Sequence, residues 1–138
     1  MLHGKRSKTK KERRLVFKDA LGDRIKNQYE NRTRFLLPRR SYTLFRLDGR
    51  SFHSYTKRCQ RPCDFKLMEA MDNTAIALCD GISGAQFAYV QSDEISILAT
   101  DFATTTTEAW FDNNLQKMCS ISASIATANF NWYRQAQL

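Results

Sequence analysis

The chain has 138 residues, 42% hydrophobic and 12% aromatic, enough to bury the core of one ordinary domain, which excludes a chain disordered throughout. Its net charge of +8 is unevenly placed: residues 1–40 carry fourteen Lys and Arg against four acids, +10, while residues 41–138 carry eight against ten, −2. No apolar stretch approaches the roughly 20 residues that cross a bilayer, and no apolar leader segment follows the basic start, so the expectation is a soluble, cytoplasmic protein.

Four cysteines fit that compartment. Cys59 and Cys63 are four apart, Cys79 and Cys119 sit in apolar helical stretches, and the only histidines are His3 and His53. The set lacks zinc-ligand spacing and reads as reduced structural thiols.

In chain order, residues 1–14 read as a disordered basic arm. Lys5, Arg6, Lys8, Lys10, Lys11, Arg13 and Arg14 suit a phosphate backbone without reading its sequence, so RNA or DNA is a candidate partner. The same run also reads as a solvated tail or as a nuclear-import signal. An amphipathic helix is expected from about Leu15 to Arg34, with Leu21, Ile25 and Tyr29 as the stripe that rests on the body and Pro38 barring continuation.

Tyr42 to Leu47 reads as a strand that Asp48-Gly49 ends, and a polar loop runs to about Cys63. Asp64 is the expected N-cap of a helix from Phe65 to about Cys79, with Leu67, Met71, Ala75 and Leu78 on its stripe and Gly81 as its stop. Gly84 to Thr100 reads as a hairpin turning at Ser92-Asp93, with Ile95, Ile97 and Ala99 alternating against Glu94, Ser96 and Leu98. The threonines 104–107 lead into the last helix, where Thr105 and Glu108 have capping-box spacing. Phe111, Leu115, Met118, Ser122, Ile125, Asn129 and Trp132 form its stripe, a small-residue patch from Ser120 to Ala128 lets it lie close to a sheet, and Trp110 and Trp132 are expected in the core.

The order is helix, strand, helix, strand, strand, helix: an α+β, ferredoxin-like βαββα unit that lacks a final strand, with no internal repeat and no second domain over 15–138. In that topology the first strand lies beside the hairpin, so Asp48 and Asp93 approach one another. Two carboxylates at strand ends suit Mg²⁺, which takes one or two carboxylates plus substrate phosphates. The amides from Gly49 to His53 can cradle anionic oxygens, and Arg46, Arg50, Lys57, Arg58 and Arg61 surround that loop with positive charge. Residue type alone also allows Asp-Gly as a plain turn and Ser-Asp-Glu as an ordinary hairpin tip.

The pair of motifs, Arg46-Leu47-Asp48-Gly49-Arg50-Ser51-Phe52-His53 and Gln91-Ser92-Asp93-Glu94-Ile95-Ser96, resembles the signature of the tRNA-histidine guanylyltransferase family and its reverse-polymerase relatives. The similarity runs over about residues 20–133 and includes Leu21-Gly22-Asp23-Arg24 and Thr127-Ala128-Asn129-Phe130-Asn131. The resemblance implies a polymerase-like palm with two Mg²⁺ ions held by Asp48, Asp93 and the main-chain oxygen of Gly49. It also implies a nucleotide held by Asp48, Gly49, Arg50, Ser51, Phe52, His53, Ser92, Asp93 and Lys117, with Glu94 as an auxiliary acid and His53 as a phosphate or backbone contact.

The reaction implied is addition of a nucleotide, GTP-derived, to the five-prime end of tRNA, with ATP activating that end where it is a monophosphate. Asn114 stands where relatives carry a basic residue, and the family's C-terminal portion is not in the sequence. The partners implied are tRNA, GTP and ATP, in a homo-oligomer (a tetramer by resemblance) or with a C-terminal half supplied in trans. Two other readings stand beside the enzyme: a non-catalytic nucleotide- and RNA-binding palm, and a cyclase-like palm enzyme.

Overall fold

The computed structural model describes residues 19–137. The basic arm expected over 1–14, and residues 15–18 of the expected first helix, lie outside them. The chain divides into two compact units, Met1–Thr33 and Arg34–Leu138.

In the first unit, α1 (Ala20–Gln28) is followed by a 3-10 turn, Glu30–Thr33. Asp19 starts the helix by accepting a hydrogen bond from the Gly22 N–H at 3.0 Å, the N-cap role aspartate favours. The helix stops short of the expected Arg34. Asn27 accepts from the Asn31 side chain and the Thr33 hydroxyl donates to the Glu30 carbonyl, local polar bonds that compete with helix continuation. Leu21, Ile25 and Tyr29 are all exposed.

The second unit is a three-stranded antiparallel sheet with helices on one face. Its strands are β1 (Tyr42–Asp48), β2 (Ala85–Gln91) and β3 (Glu94–Thr100), in the order β1-β3-β2. β1 pairs with β3 in unbroken register from Tyr42–Thr100 to Asp48–Glu94, and β2 pairs with β3 with an irregularity at Ala85/Phe87. The expected alternation holds: Ile95, Ile97 and Ala99 are buried and join Phe45 against the helices. The other face leaves Tyr42, Leu44, Phe87 and Tyr89 exposed.

Asp101 fixes the start of β1. Its buried carboxylate accepts from the Arg39 guanidinium at 2.8 Å, the Arg40 N–H at 3.0 Å and the Ser41 N–H at 3.2 Å. The Arg40 amide first, then the Arg39 side chain, hold this carboxyl below its ordinary range.

After β1 the chain forms a short helix, α2 (Phe52–Tyr55), and a 3-10 turn (Thr56–Arg58), where a polar loop was expected. α3 (Phe65–Gly81) begins as expected, with Asp64 accepting from the Leu67 N–H at 2.9 Å. Its Ala70, Met71, Thr74, Ala75 and Leu78 are buried.

The last helix differs most from expectation. α4 spans Leu115–Gln135, and its cap is Asn114, whose side chain accepts from the Lys117 N–H, so Thr105 and Glu108 form no capping box. Phe111, Asp112 and Asn113 all take left-handed backbone angles, φ 51°, 53° and 57°, which no α-helix can pass through. The Thr107 hydroxyl instead accepts from the Thr104 N–H and shares a hydrogen bond with the Thr104 hydroxyl. Burial on α4 centres on Met118 and Ser122, while Phe111, Leu115 and Trp132 are exposed, Trp132 at 70%.

The reason lies in α2: its Phe52 and Tyr55 rings pack 5.7 Å from the Phe130 ring, drawing that side of α4 inward instead of Trp132. Trp110 does reach the core, edge-on to Phe45 at 5.6 Å. The small-residue patch lies only partly against the sheet. α4 packs mainly on α3, with Ile125 close to Gly81, and Cys119, Ser122, Ala123, Ala126 and Thr127 border an open groove of about 490 Å³ beside β1. Among the described residues, no helix is long and apolar enough to cross a membrane.

Candidate functional site

The end of β1 and the β2–β3 turn meet through one main-chain hydrogen bond, from the Gly49 N–H to the Asp93 carbonyl at 3.0 Å. It continues the ladder one step past the Asp48–Glu94 pair, so the two aspartates leave adjacent strands at the same end of the sheet. Glycine is required sterically here. A Cβ at 49 would stand 2.5 Å from Phe52 Cδ2 and 3.0 Å from Asp93 Cβ, both inside ordinary contact distance.

A cavity of about 320 Å³ opens at this junction. Asp48, Gly49, Arg50, Phe52 and Asp93 line it together with Tyr55, Thr74, Thr127, Phe130 and Asn131, and Met71 and Ile95 of the core also border it. The Ser92 hydroxyl donates to Asp93 Oδ1 at 3.0 Å. Among the described residues, no cationic side chain pairs with Asp48 or Asp93; the nearby Arg46 pairs with Glu94 at 3.6 Å. Two carboxylates thus share one cavity, with Arg50 on its wall but not ion-paired to either.

Ser51 and Ser92 flank the site in left-handed conformations, φ 55° and 56°. A non-glycine residue there costs on the order of 1–3 kcal/mol, and such strain collects where a structure holds groups for function. Ser92 faces a neighbouring cavity of about 310 Å³, shared with Phe52, Thr56, Asp64 and Met68. Ser51 precedes α2 and the exposed His53 lies in its first turn; neither lines either cavity. Lys57, Arg58 and Arg61 are exposed and likewise line neither.

Lys117 stands apart. It sits in the first turn of α4, with its Nζ 5.9 Å from the Phe111 ring centroid. Ten residues separate it from Thr127 at the cavity, about 15 Å of helix at 1.5 Å per residue. Asn114 has a structural role as the cap of that helix.

Several lining residues escaped a residue-type reading. Tyr55 sat in a segment read as loop, and its hydroxyl accepts from Arg134 Nε at 3.1 Å, which raises the affinity of the guanidinium for its proton. Thr74 is buried mid-helix with its hydroxyl donating to the Ala70 carbonyl at 2.6 Å, and nothing in its spacing marks it. Phe130 and Asn131 belong to the last quoted motif, which gave them no role.

Which metal the donors fit follows from their chemistry. No group of three or more His, Cys, Asp or Glu side chains is poised to hold an ion among the described residues, which argues against a closed transition-metal site. Two carboxylates on one cavity that Gly49 also lines match a hard divalent cation that keeps water and takes further oxygens from a phosphate.

Comparison with known proteins converges with this geometry. The tRNAHis guanylyltransferase family (Thg1) matches residues 22–138. A solved bacterial tRNA(His) guanylyltransferase (Thg1)-like protein in complex with GTP is 50% identical, with a TM-score of 0.79, over 85% of this chain and 56% of its own. The ATP complex of a bacterial Thg1-like protein agrees equally well, over 51% of its chain. An uncharacterized protein of Acanthamoeba polyphaga mimivirus is 30% identical over 84% of this chain and 41% of its own length. The tRNA(His) guanylyltransferase of Debaryomyces hansenii is 30% identical over 75% and 37%. The chain therefore spans about half or less of the length of these relatives. With the α+β fold and the paired strand-end motifs in place, the chain belongs to the tRNAHis guanylyltransferase (Thg1) family of nucleotidyltransferases.

Proposed function

We propose that this chain acts as a Mg²⁺-dependent nucleotidyltransferase that joins a GTP-derived nucleotide to the five-prime end of tRNA, in tRNA-His guanylylation or end repair. Residues 15–138 form the catalytic palm and the basic arm 1–14 holds RNA. The observation that carries the reading is that Asp48 and Asp93 line one cavity beside Gly49 and Arg50. The bacterial relative that shares half of its matched residues with this chain binds GTP.

Asp48, Asp93 and the Gly49 carbonyl would hold two Mg²⁺ ions, which when bound lower the pKa of an attacking hydroxyl and neutralise phosphate charge. The chain's own residues do the rest. Arg50 at the cavity wall attracts the polyphosphate, Phe52 and Tyr55 offer apolar surface and exclude water, and the Ser92 hydroxyl holds the Asp93 carboxylate in orientation. Ser51 and His53 act through the turn they build, and Lys117 acts on a more distant phosphate or RNA segment, since it stands a long way along α4 from the cavity.

The distance of Lys117 and the partial coverage of the relatives favour one alternative, a palm that binds nucleotide and RNA without turnover. Incorporation of labelled GTP into tRNA, with Mg²⁺-dependent GTP binding measured in parallel, separates the two. Turnover in the wild type that Asp48→Ala and Asp93→Ala each abolish, with melting unchanged, is the expected result. Binding without turnover assigns the second reading, and full activity in both variants refutes the metal site.

A further inference from the structure

Two thiols flank the loop between the 3-10 turn at Thr56–Arg58 and α3, and the proposed reaction uses neither. Cys59 ends that turn, its N–H donating to the Thr56 carbonyl at 3.0 Å, and Cys63 stands immediately before Asp64, the cap of α3. Cys59 is half-buried, Cys63 is exposed, and both are free thiols.

Asp64 folds this loop back on itself. Besides capping α3 through the Leu67 N–H at 2.9 Å, its carboxylate accepts from the Gln60 N–H at 3.2 Å. That bond joins the residue after Cys59 to the residue after Cys63. A segment whose four steps would span about 13 Å if extended is thereby closed into a ring, with one thiol just before each end of the bond. A disulfide needs α-carbons about 4.4–6.8 Å apart, and closure of the ring draws the pair toward that range.

The two sulfurs have different surroundings. The Cys59 thiol lies against the Asp64 carboxylate; burial first, and then the Asp64 charge, push it up and keep it protonated, with Arg134 of α4 partly opposing them. Cys63 lines the cavity of about 310 Å³ together with Phe52, Asp64 and Ser92, where a small oxidant can reach it.

We propose that Cys59 and Cys63 are a redox pair, which a hydroperoxide converts to an intramolecular disulfide that reshapes the cavity Ser92 shares. The Cys63 sulfur attacks one peroxide oxygen, the O–O bond breaks, and water or an alcohol leaves a sulfenic acid behind. The Cys59 sulfur then attacks the Cys63 sulfur: the S–S bond forms, the S–O bond breaks, and the hydroxide departs as water with the Cys59 proton. Two thiols lose two electrons, which reduce the peroxide bond, and a thiol reductant reverses the change.

The bridge takes Cys59 from Asp64 and ties a wall of the cavity to the end of the 3-10 turn. Ser92 faces that cavity and donates to Asp93, so oxidation reaches the candidate site through its neighbour. This consequence rests on the proposed nucleotide site, whereas the redox step does not.

The test treats the full chain with equimolar hydrogen peroxide, alkylates it and digests it with trypsin. Trypsin does not cut before proline, so Arg61-Pro62 survives and residues 59–66 emerge as one peptide. That peptide should be unalkylated and lighter by two hydrogens, and should alkylate fully when reductant is added first, while the exposed Cys119 alkylates in both cases. Affinity for GTP in Mg²⁺ should fall roughly fivefold on oxidation and recover with reductant. Cys59→Ser and Cys63→Ser should each bind as the reduced wild type does and ignore the peroxide. A peptide that stays alkylated, one that gains oxygen without bridging, or a bridge to Cys79, Cys119 or a second chain would overturn the pair. A bridge that forms while affinity holds overturns its effect on the site. A reduced protein with no affinity for GTP refutes the nucleotide site instead, and the peptide mass still decides the redox pair.

Discussion

Replacing Gly49 with alanine tests the junction on which the site depends. The added Cβ would lie 2.5 Å from Phe52 Cδ2 and 3.0 Å from Asp93 Cβ, whereas carbon atoms rest at about 3.5 Å or more. Relief requires the Phe52 ring to withdraw by about 1 Å and the hairpin turn by about half that. The ring cannot move freely, because it packs 5.2 Å from Tyr55 and 5.7 Å from Phe130.

Forcing a methyl into such a place costs about 1–3 kcal/mol, a fall of roughly 4 °C or more in Tm per kcal/mol for a domain of this size. The functional effect should exceed the structural one, since a displacement of about 1 Å in a reacting constellation costs on the order of a hundredfold. Calorimetric titration of GTP in Mg²⁺ beside thermal melting reads both quantities, and at least a tenfold loss of affinity is expected. Gly84→Ala is the control. Gly84 has φ +83° and its added Cβ would strike the Thr100 carbonyl, so that variant should melt earlier yet bind nucleotide normally while folded. A Gly49→Ala protein that melts and binds like the wild type would refute the reasoning and leave Gly49 as a mere turn residue.

Asp101 supplies a pH-dependent prediction. Its carboxyl is held below the ordinary range by the Arg40 amide and the Arg39 side chain, so its stabilisation is complete above the unfolded-state pKa of about 3.9 and disappears as pH falls through the lower folded value. Asp101→Asn should melt earlier than the wild type at pH 7, with the gap closing as pH falls below about 4; a gap that stays constant contradicts the assignment. Leu78, fully buried between sheet and helices, should cost about 2–5 kcal/mol on Leu78→Ala, read by denaturant titration, and a loss under 1 kcal/mol would show that the core is misplaced.

The elements set by strong local signals were legible in the sequence. Asp64 capped the helix it was expected to cap, and Ile95, Ile97 and Ala99 fell on the buried face. The junction at Asp48-Gly49 and Ser92-Asp93 was legible because both turns interrupt apolar strands in one topology. Errors arose where tertiary partners decide. Thr105 and Glu108 have the spacing of a capping box, yet the left-handed turn at residues 111–113, tied to Pro38 through Asn113, moves the helix start to Leu115. Trp132 lies on the expected stripe, but burial there depends on Phe52 and Tyr55, which come from a helix too short to leave a periodic signal.

The hydrogen bond from the Gly49 N–H to the Asp93 carbonyl has a consequence for how the site can be watched. It makes the separation of the two aspartates a property of the sheet ladder, so the site should hold its spacing while the loops around it fluctuate. The Gly49 amide proton then becomes a built-in reporter. Its exchange with solvent deuterium proceeds only when the strand end parts from the hairpin, and slower exchange on adding nucleotide and Mg²⁺ would register the closing of the site at a single backbone atom.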